Sequence, residues 1–282
     1  MDTLPKDHAV EISAGERFAF GDNWRRFLSV LNDARIAQAE RDLKEMLGLD
    51  DLQGKSFLDI GSGSGLSSLA ARRLGAKVVS LDYDPQSVAC TQELRRRYFE
   101  GDTEWQVLEG SVLDREFIAS LGTFDIVYSW GVLHHTGHMW EALENAGLPA
   151  SVGGHLFVAI YNDQGRMSRW WTALKRGYNK MPGPLKLPYA VAVMGPRELK
   201  SFLYALARLQ PMRYVRSWTE YSKARGMSRW HDIIDWIGGY PFEVAKPEEI
   251  FDFYKARGFQ LSRMKTCAGG LGCNQFVFTR TT

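Results

Sequence analysis

Two carboxylates and a run of glycines carry the most legible chemistry in this chain. Asp59 lies in an apolar stretch, Phe57-Leu58-Asp59-Ile60, followed at once by Gly61-Ser62-Gly63-Ser64-Gly65. A buried strand running into a glycine-rich turn that opens a helix lets the backbone approach a ligand at the carboxyl edge of a sheet. A carboxylate inside that strand end must be paired or face a cationic ligand, because desolvating a lone charge is costly. Asp82 closes a second apolar stretch, Val78-Val79-Ser80-Leu81, where a carboxylate can accept both hydroxyls of a ribose. Together they imply a nucleotide-like ligand with an unphosphorylated ribose. The turn reads G-x-G-x-G, with Leu66 where a dinucleotide fingerprint has its third glycine, which counts against NAD, FAD and a dehydrogenase.

Other polar candidates follow. His134 and His135 come just after the apolar run Phe124 to Tyr128, at the same sheet edge, and histidine titrates near working pH. Each is a candidate general base or a ring that only shapes the pocket. Tyr161, Asn162 and Asp163 end a fifth run and can hydrogen-bond a ligand there, although Tyr161 equally suits plain packing. His231 and Asp235 stand at i, i+4 beside Asp232, so a helix would place them on one face, to meet a ligand or to form a surface ion pair. Such a pair without a third ligand is weak ground for a metal, and Cys90, Cys267 and Cys273 lack zinc spacing. The expectation is three free thiols and no metal.

These residues need a scaffold, and 282 residues with 45% hydrophobic and 24% charged composition can supply one large core and a smaller appended one. Apolar runs at Phe57 to Ile60, Val78 to Leu81, Trp105 to Leu108, Phe124 to Tyr128 and Leu156 to Ile160 alternate with helical stretches, as in a parallel sheet covered on both faces. Helices are predicted from Leu66 to Leu74, ending at Gly75, and from Asp84 to Tyr98 with Pro85 in the first turn. After Tyr161 the rhythm pauses for about eighty residues, then resumes with a helix, Pro247 to Ala256, and strands Gln260 to Thr266 and Gln275 to Thr279. Gly269, Gly270 and Gly272 can turn the chain between those strands.

The interruption holds Trp170, Trp171, Trp218, Trp230 and Trp236, which argues for a packed cap. Within it Leu199, Phe202, Leu203 and Leu206 fall on one helical face behind Pro196 as first-turn residue, a stripe expected to be core more than membrane anchor. From Asp163 to Lys246 there are fifteen Lys or Arg against six Asp or Glu, an excess of +9 in a chain of net charge +2. That segment is either a contact surface for something anionic or a solvated helical face. The first fifty residues read as helical, with Trp24, Phe27, Leu28 and Leu31 on one face and Ala37 to Leu47 continuing the pattern. No window of eighteen uncharged apolar residues occurs, and charges at Asp2, Lys6, Asp7 and Glu11 break any signal-peptide core, so a cytoplasmic protein without a transmembrane segment is expected.

The series LDIGSGSG at 58–65, LDYD at 81–84, EGSVLD at 109–114, FDIVYSWGVLHH at 124–135 and GGHLFVAIYND at 153–163 resembles motifs I to V of the class I S-adenosylmethionine-dependent methyltransferases. It is most similar to their ubiquinone and menaquinone methylase-like group. The resemblance covers about 110 residues of core, leaves the cap outside, and implies an α/β, Rossmann-like class I methyltransferase fold: a seven-stranded, mostly parallel sheet with one antiparallel strand, plus a helical cap insertion. The divisions expected are a helical segment at 1–50 over the cofactor site, a core at 51–163, an aromatic, basic cap at 164–245, and a helix and hairpin at 246–282 that complete the core.

The resemblance further implies S-adenosyl-L-methionine as cofactor, its α-amino or sulfonium charge facing Asp59. Asp59, Gly61, Ser62, Gly63 and Gly65 would cradle its methionine part, and Asp82 and Tyr83 would hold the ribose. Ser111 and Val112 would border the adenine, although many relatives carry Asp where this chain has Ser111. Trp130 and Gly131 would line the methionine and the transfer channel; the amphipathic aromatic content of FAFGDNW separately suggests that Phe18, Phe20 and Trp24 close over the cofactor. Methyl transfer from a sulfonium is an in-line displacement that needs alignment and dryness and no covalent nucleophile. His134, His135 and Tyr161 are the catalytic candidates. The expected acceptor is the oxygen or nitrogen of a small molecule, with negative charge suggested by the cap's excess. Nucleic acid is not the expected partner: Ser129-Trp130-Gly131-Val132 is unlike the (D/N/S)PP(Y/F/W) motif of base-amine methylases, and no cysteine stands near to attack a pyrimidine. An RNA or other macromolecule methyltransferase, or a catalytically inactive cofactor-binding protein, are the alternatives.

Overall fold

The computed structural model describes residues 8–20, 24, 28, 31–219 and 229–282, apart from the side chains of His231 and Asp232. Phe27 and those two side chains, all named above, lie outside the described residues. In chain order the elements are α1 (His8–Ser13), α2 (Asp33–Leu47), β1 (Ser56–Ile60), α3 (Leu66–Arg73), β2 (Lys77–Asp82), α4 (Pro85–Tyr98), β3 (Trp105–Glu109), α5 (Arg115–Ser120), β4 (Phe124–Trp130) and a 3₁₀ turn at Leu133–His135. Then come α6 (Met139–Gly147), β5 (Ala150–Tyr161), α7 (Arg166–Lys180), α8 (Gly183–Ala207), α9 (Pro211–Thr219), α10 (Arg229–Gly238), α11 (Pro247–Lys255), β6 (Phe259–Lys265) and β7 (Cys273–Arg280).

The sheet has seven strands in the order β3-β2-β1-β4-β5-β7-β6, and β7 alone runs against its neighbours. This is the mostly parallel sheet with one antiparallel strand that the motifs imply. Its centre is apolar on both sides because alternate residues of each strand point to opposite faces. Phe57, Val78 and Trp105 pack under α2, α3 and α4 with Ile36, Leu69 and Leu94. Leu58, Ile60 and Leu81 pack on the other face with Ala142 of α6 and Tyr254 of α11. Because β1 lies between β2 and β4, strand order reverses there, and the carboxyl ends of these strands border a crevice where ligands bind in open α/β sheets.

Two element boundaries differ from the sequence reading by six residues or more. β5 begins at Ala150, six residues before the apolar run, with an irregular register between Phe124 and Ile126 of its partner β4. Gly153, at φ +80°, and Gly154, against the Asp125 carbonyl, allow that passage while hiding the strand's period. α8 begins at Gly183 and runs through Pro188 and Pro196, so Pro196 is interior and not a first-turn residue. The helix tolerates two missing amide donors because its first half is held by packing: Ala190 and Met194 join Trp171, Tyr178, Ile233, Ile237 and Phe242 in a third core. Its second half is different. Leu199, Phe202, Leu203 and Leu206, expected to be core, are all exposed, and Ala205 is the buried residue there.

Candidate active site

One cavity of about 960 Å³ lies over the carboxyl ends of β1, β2 and β4 and extends up to α8 and α10. Its floor is fixed by backbone conformation. Gly61, Gly63 and Gly65 have φ of +80°, +54° and +80°, the left-handed region that costs other residues. A Cβ at Gly61 would fall 2.4 Å from the Val132 side chain, and one at Gly65 would fall 2.9 Å from the Thr91 Cα. Gly65 does not line the cavity. It lies behind the turn, at the start of α3.

Asp82 braces this turn, a task the sequence reading missed. One carboxylate oxygen accepts the Gly63 amide at 2.8 Å and the other accepts the Asp84 amide at 2.9 Å. Asp59 is buried yet borders the cavity, and accepts the Ser68 hydroxyl at 2.6 Å. Ser68 Oγ lies 2.6 Å from Ser80 Oγ, which accepts the Trp105 indole N–H at 2.8 Å. Serines in otherwise apolar positions of β2 and α3 were the available signal for this chain of hydrogen bonds. Burial raises the Asp59 carboxyl to about 7, with the Ser68 bond opposing and the Asp82 charge adding. Burial likewise lifts Asp82 to about 6, against the amides it accepts.

Ser62, Tyr83, Ser111, Val112, Trp130 and Gly131 all border the same cavity. Ser62 Oγ meets Thr91 Oγ1 at 3.0 Å. The Tyr83 ring meets His8 edge-on at 5.3 Å and lies 5.2 Å from the Arg17 guanidinium. Ser111 Oγ accepts the Leu113 amide at 3.2 Å, and the Val112 carbonyl accepts Asn145 Nδ2 at 3.0 Å. Gly131, at φ +76°, donates its amide to the Ala159 carbonyl beside the half-exposed Trp130. Trp24 reaches the glycine turn, its indole about 3.0 Å from where a Gly63 Cβ would stand, and Phe18 and Phe20 border the cavity too.

The structure separates the two histidines. His134 is fully buried and does not border the cavity, its ring 4.0 Å from that of Tyr161, and burial drives its pKa well below the ordinary value. It stands behind the cavity wall, whereas the expectation had allowed either histidine to face an acceptor. His135 does border the cavity, between Phe20 at 5.0 Å and Tyr161 at 5.6 Å. Its Nδ1 lies 2.5 Å from the Pro241 carbonyl, and since a carbonyl only accepts, Nδ1 carries the proton and Nε2 is left as acceptor. Burial lowers its pKa to about 3. Tyr161 borders the cavity beside Trp236 and Phe242, whereas Asn162 and Asp163 do not.

The roof is supplied by Met194, Arg197, Glu198, Arg229, Ile233 and Trp236. Arg229 is held by Glu198 at 2.9 Å and by Ser217 Oγ at 2.6 Å. Asp235 also borders the cavity. Behind it lies a residue the sequence reading passed over: Lys175, fully buried, donates to the Trp236 carbonyl and sits 4.1 Å and 4.7 Å from the ring centres of Trp236 and Phe242. Burial lowers its ammonium to about 7, with Asp235 opposing. The available signal was its place on the buried stripe of α7, four residues after Trp171 and three before Tyr178. Cys273 also borders the cavity, and burial pushes its thiol up to about 12, which leaves it no nucleophile.

A family model for a methyltransferase domain matches residues 58–156, the segment that carries the floor. That segment is similar to the methyltransferase domain of S-adenosylmethionine-dependent enzymes, in agreement with the class I motifs it carries. A ubiquinone biosynthesis O-methyltransferase of Caulobacter sp. (strain K31) is 29% identical over 141 residues, 48% of this chain and 51% of that protein. A ribosomal protein L11 methyltransferase of Xanthomonas campestris pv. campestris (strain 8004) is 48% identical over 58 residues, 20% of this chain and 19% of that one. The chain thus spans about half or less of the curated relatives it matches. The methyltransferase fold extends further than the sequence match. The crystal structure of magnesium protoporphyrin IX methyltransferase from Synechocystis PCC 6803 with bound S-adenosylmethionine superposes with a TM-score of 0.54 at 13% identity, over 99% of this chain and 100% of that one.

Proposed function

We propose that the chain transfers a methyl group from S-adenosyl-L-methionine to an oxygen or nitrogen of a small acceptor held under the α7–α10 cap. The observation that carries this reading is the continuity of the cavity, which joins the Gly61–Gly65 turn and Asp82 to Arg197, Ile233 and Trp236 without a change of chamber. The floor fits the cofactor's chemistry. Asp59 is a carboxylate that burial holds close to neutrality, and an ammonium or sulfonium at hand would restore its charge. When bound, the cofactor supplies an electrophilic methyl carbon on sulfonium sulfur.

On this reading Asp59, Gly61, Ser62 and Gly63 receive the methionine part, with Gly65 shaping the turn from behind. Asp82 and Tyr83 take the ribose, and Ser111 and Val112 flank the base. Trp130 and Gly131 line the passage to the acceptor. His135 Nε2 accepts the acceptor's O–H or N–H, while His134, tilted against it, and Tyr161, edge-on to it, hold the His135 ring. With so low a basicity His135 suits an acceptor that shares its proton as the methyl arrives, more than one that must be ionised beforehand. Phe18, Phe20 and Trp24 exclude water. Arg197 is exposed at the cavity and makes no ion pair among the described residues, which suits an acceptor bearing a carboxylate or phosphate.

Calorimetry with S-adenosylmethionine and S-adenosylhomocysteine tests the foundation. Micromolar binding is expected, weakened about a hundredfold or more in Asp59→Ala and Asp82→Ala through loss of charge-assisted contacts. Absence of binding in the unsubstituted protein would reduce the fold to an inactive platform.

A further inference from the structure

The outer half of α8 and the helix that follows it present an apolar surface with nothing over it among the described residues. Leu199, Leu203 and Tyr204 are each more than half exposed, and Leu206, Met212 and Val215 are exposed beside them. At the tip of this helical hairpin Leu209 is 89% exposed and has φ +55°. A leucine in the left-handed region is disfavoured where glycine or asparagine would be at ease, and here it gains no burial in return.

The charge around this surface has one sign. From 199 to 219 the chain contains Lys200, Arg208, Arg213 and Arg216 and no acidic residue, and none of the four cations forms an ion pair with a described residue. A second copy seated on the face would bring cations against cations. Leucine, methionine and aromatic side chains ringed by Lys and Arg that no described carboxylate pairs instead match the boundary between acyl chains and anionic headgroups. No helix among the described residues is long and apolar enough to cross a membrane, so the contact is with the surface.

We propose that the α8–α9 hairpin docks onto an anionic membrane surface, with Leu203, Leu206 and Leu209 entering the acyl boundary and Lys200, Arg208, Arg213 and Arg216 contacting headgroups. The docked face adjoins the cavity: Arg197 borders both the cavity and a shallow outer groove formed with Lys200, Ser201, Leu203 and Tyr204. The reading does not depend on methyl transfer, because docking is read without cofactor or acceptor.

The test is co-sedimentation of the full chain with vesicles of phosphatidylcholine alone or mixed with phosphatidylglycerol. Binding to the mixed vesicles is expected to exceed binding to phosphatidylcholine by about tenfold or more and to fall as salt is raised. Leu203→Glu with Leu209→Glu should lower binding by about tenfold or more. Lys200→Glu with Arg213→Glu, which leaves the apolar side chains in place, should abolish the preference for the anionic lipid. Val152→Glu, exposed at the other end of β5, should bind as the unsubstituted protein does. Unchanged melting temperatures establish that the variants fold. No vesicle binding by the unsubstituted protein, equal binding by the leucine variant, or self-association in sedimentation velocity that the leucine variant removes would each overturn the proposal.

Discussion

At the floor of the cavity, position is a property of the main chain. Three glycines adopt left-handed conformations, and the Gly61 and Gly63 amides are tied to the end of the adjacent strand, at the Leu81 carbonyl and the Asp82 carboxylate. At the roof, position is a property of side-chain packing. Aromatic rings of α10 and the loop at 240–245 flank the buried Lys175 ammonium of α7, and an Arg–Glu pair holds α8 to α10. Burial treats the two oppositely charged sets alike. The floor carboxyls are raised to about 7 and 6, and the roof bases are lowered, His135 to about 3 and Lys175 to about 7. Burial thus weakens the charge of these groups on both walls before anything binds. A cationic ligand gains most by approaching the floor, where its charge draws the carboxyls into ionisation. The roof offers a neutral base and an exposed arginine to whatever arrives second.

The sharpest way to break this contrast is one methyl group at the floor. Gly65→Ala forces a β-carbon onto the Thr91 backbone at a φ of +80°, which costs about 2 to 4 kcal/mol in strain and displacement. Cofactor binding is expected to vanish from calorimetry, while Trp236→Ala, a far larger deletion at the roof, leaves it within about threefold because the floor keeps its own geometry. Equal losses in the two variants would mean that floor and roof act as one unit.

A smaller effect separates the two histidines. His135→Phe keeps the ring but removes the Nε2 acceptor, and should lower kcat about a hundredfold with cofactor affinity unchanged. His134→Gln, away from the cavity, should act mainly on stability, read as a lower melting temperature with kcat nearly intact. A kcat that falls equally in both variants would assign the pair a purely structural role.

The same contrast explains what could be read from the chain. The floor was legible because its determinants are local: an apolar strand, a glycine run and a carboxylate at a strand end are contiguous in sequence, and so is their chemistry. The single antiparallel strand followed from resemblance and not from periodicity, and the strand order came only from the structure, since alternating runs do not say which neighbours pair. The roof was legible only in composition. Its tryptophans predicted a packed cap, but Lys175 is indistinguishable by type from the fourteen other Lys and Arg of its segment, and only three-dimensional placement shows that it is buried. The stripe at Leu199 to Leu206 shows the limit most plainly. Helical spacing tells which residues share a face, and nothing about whether another element covers it.

The smallest expected effect concerns Lys175, and it is read as a slope. Its folded pKa of about 7 lies below the ordinary value of 10.5, so between those limits the unfolded chain binds more protons than the folded one. Stability must therefore rise with pH from about 7 to 10.5 and fall as pH drops back through that window, because folding excludes a proton that the unfolded lysine holds. Lys175→Met removes the titrating group while keeping most of the stem that packs against Trp236 and Phe242. Melting temperatures followed from pH 7 to 10 should show less upward slope in the variant than in the unsubstituted protein. At pH 7 the two should differ by about 1 to 2 kcal/mol at most, since loss of the bond to the Trp236 carbonyl offsets relief from burying an amine. A slope identical in both would place the Lys175 ammonium in water, and the roof would then be held by its rings alone.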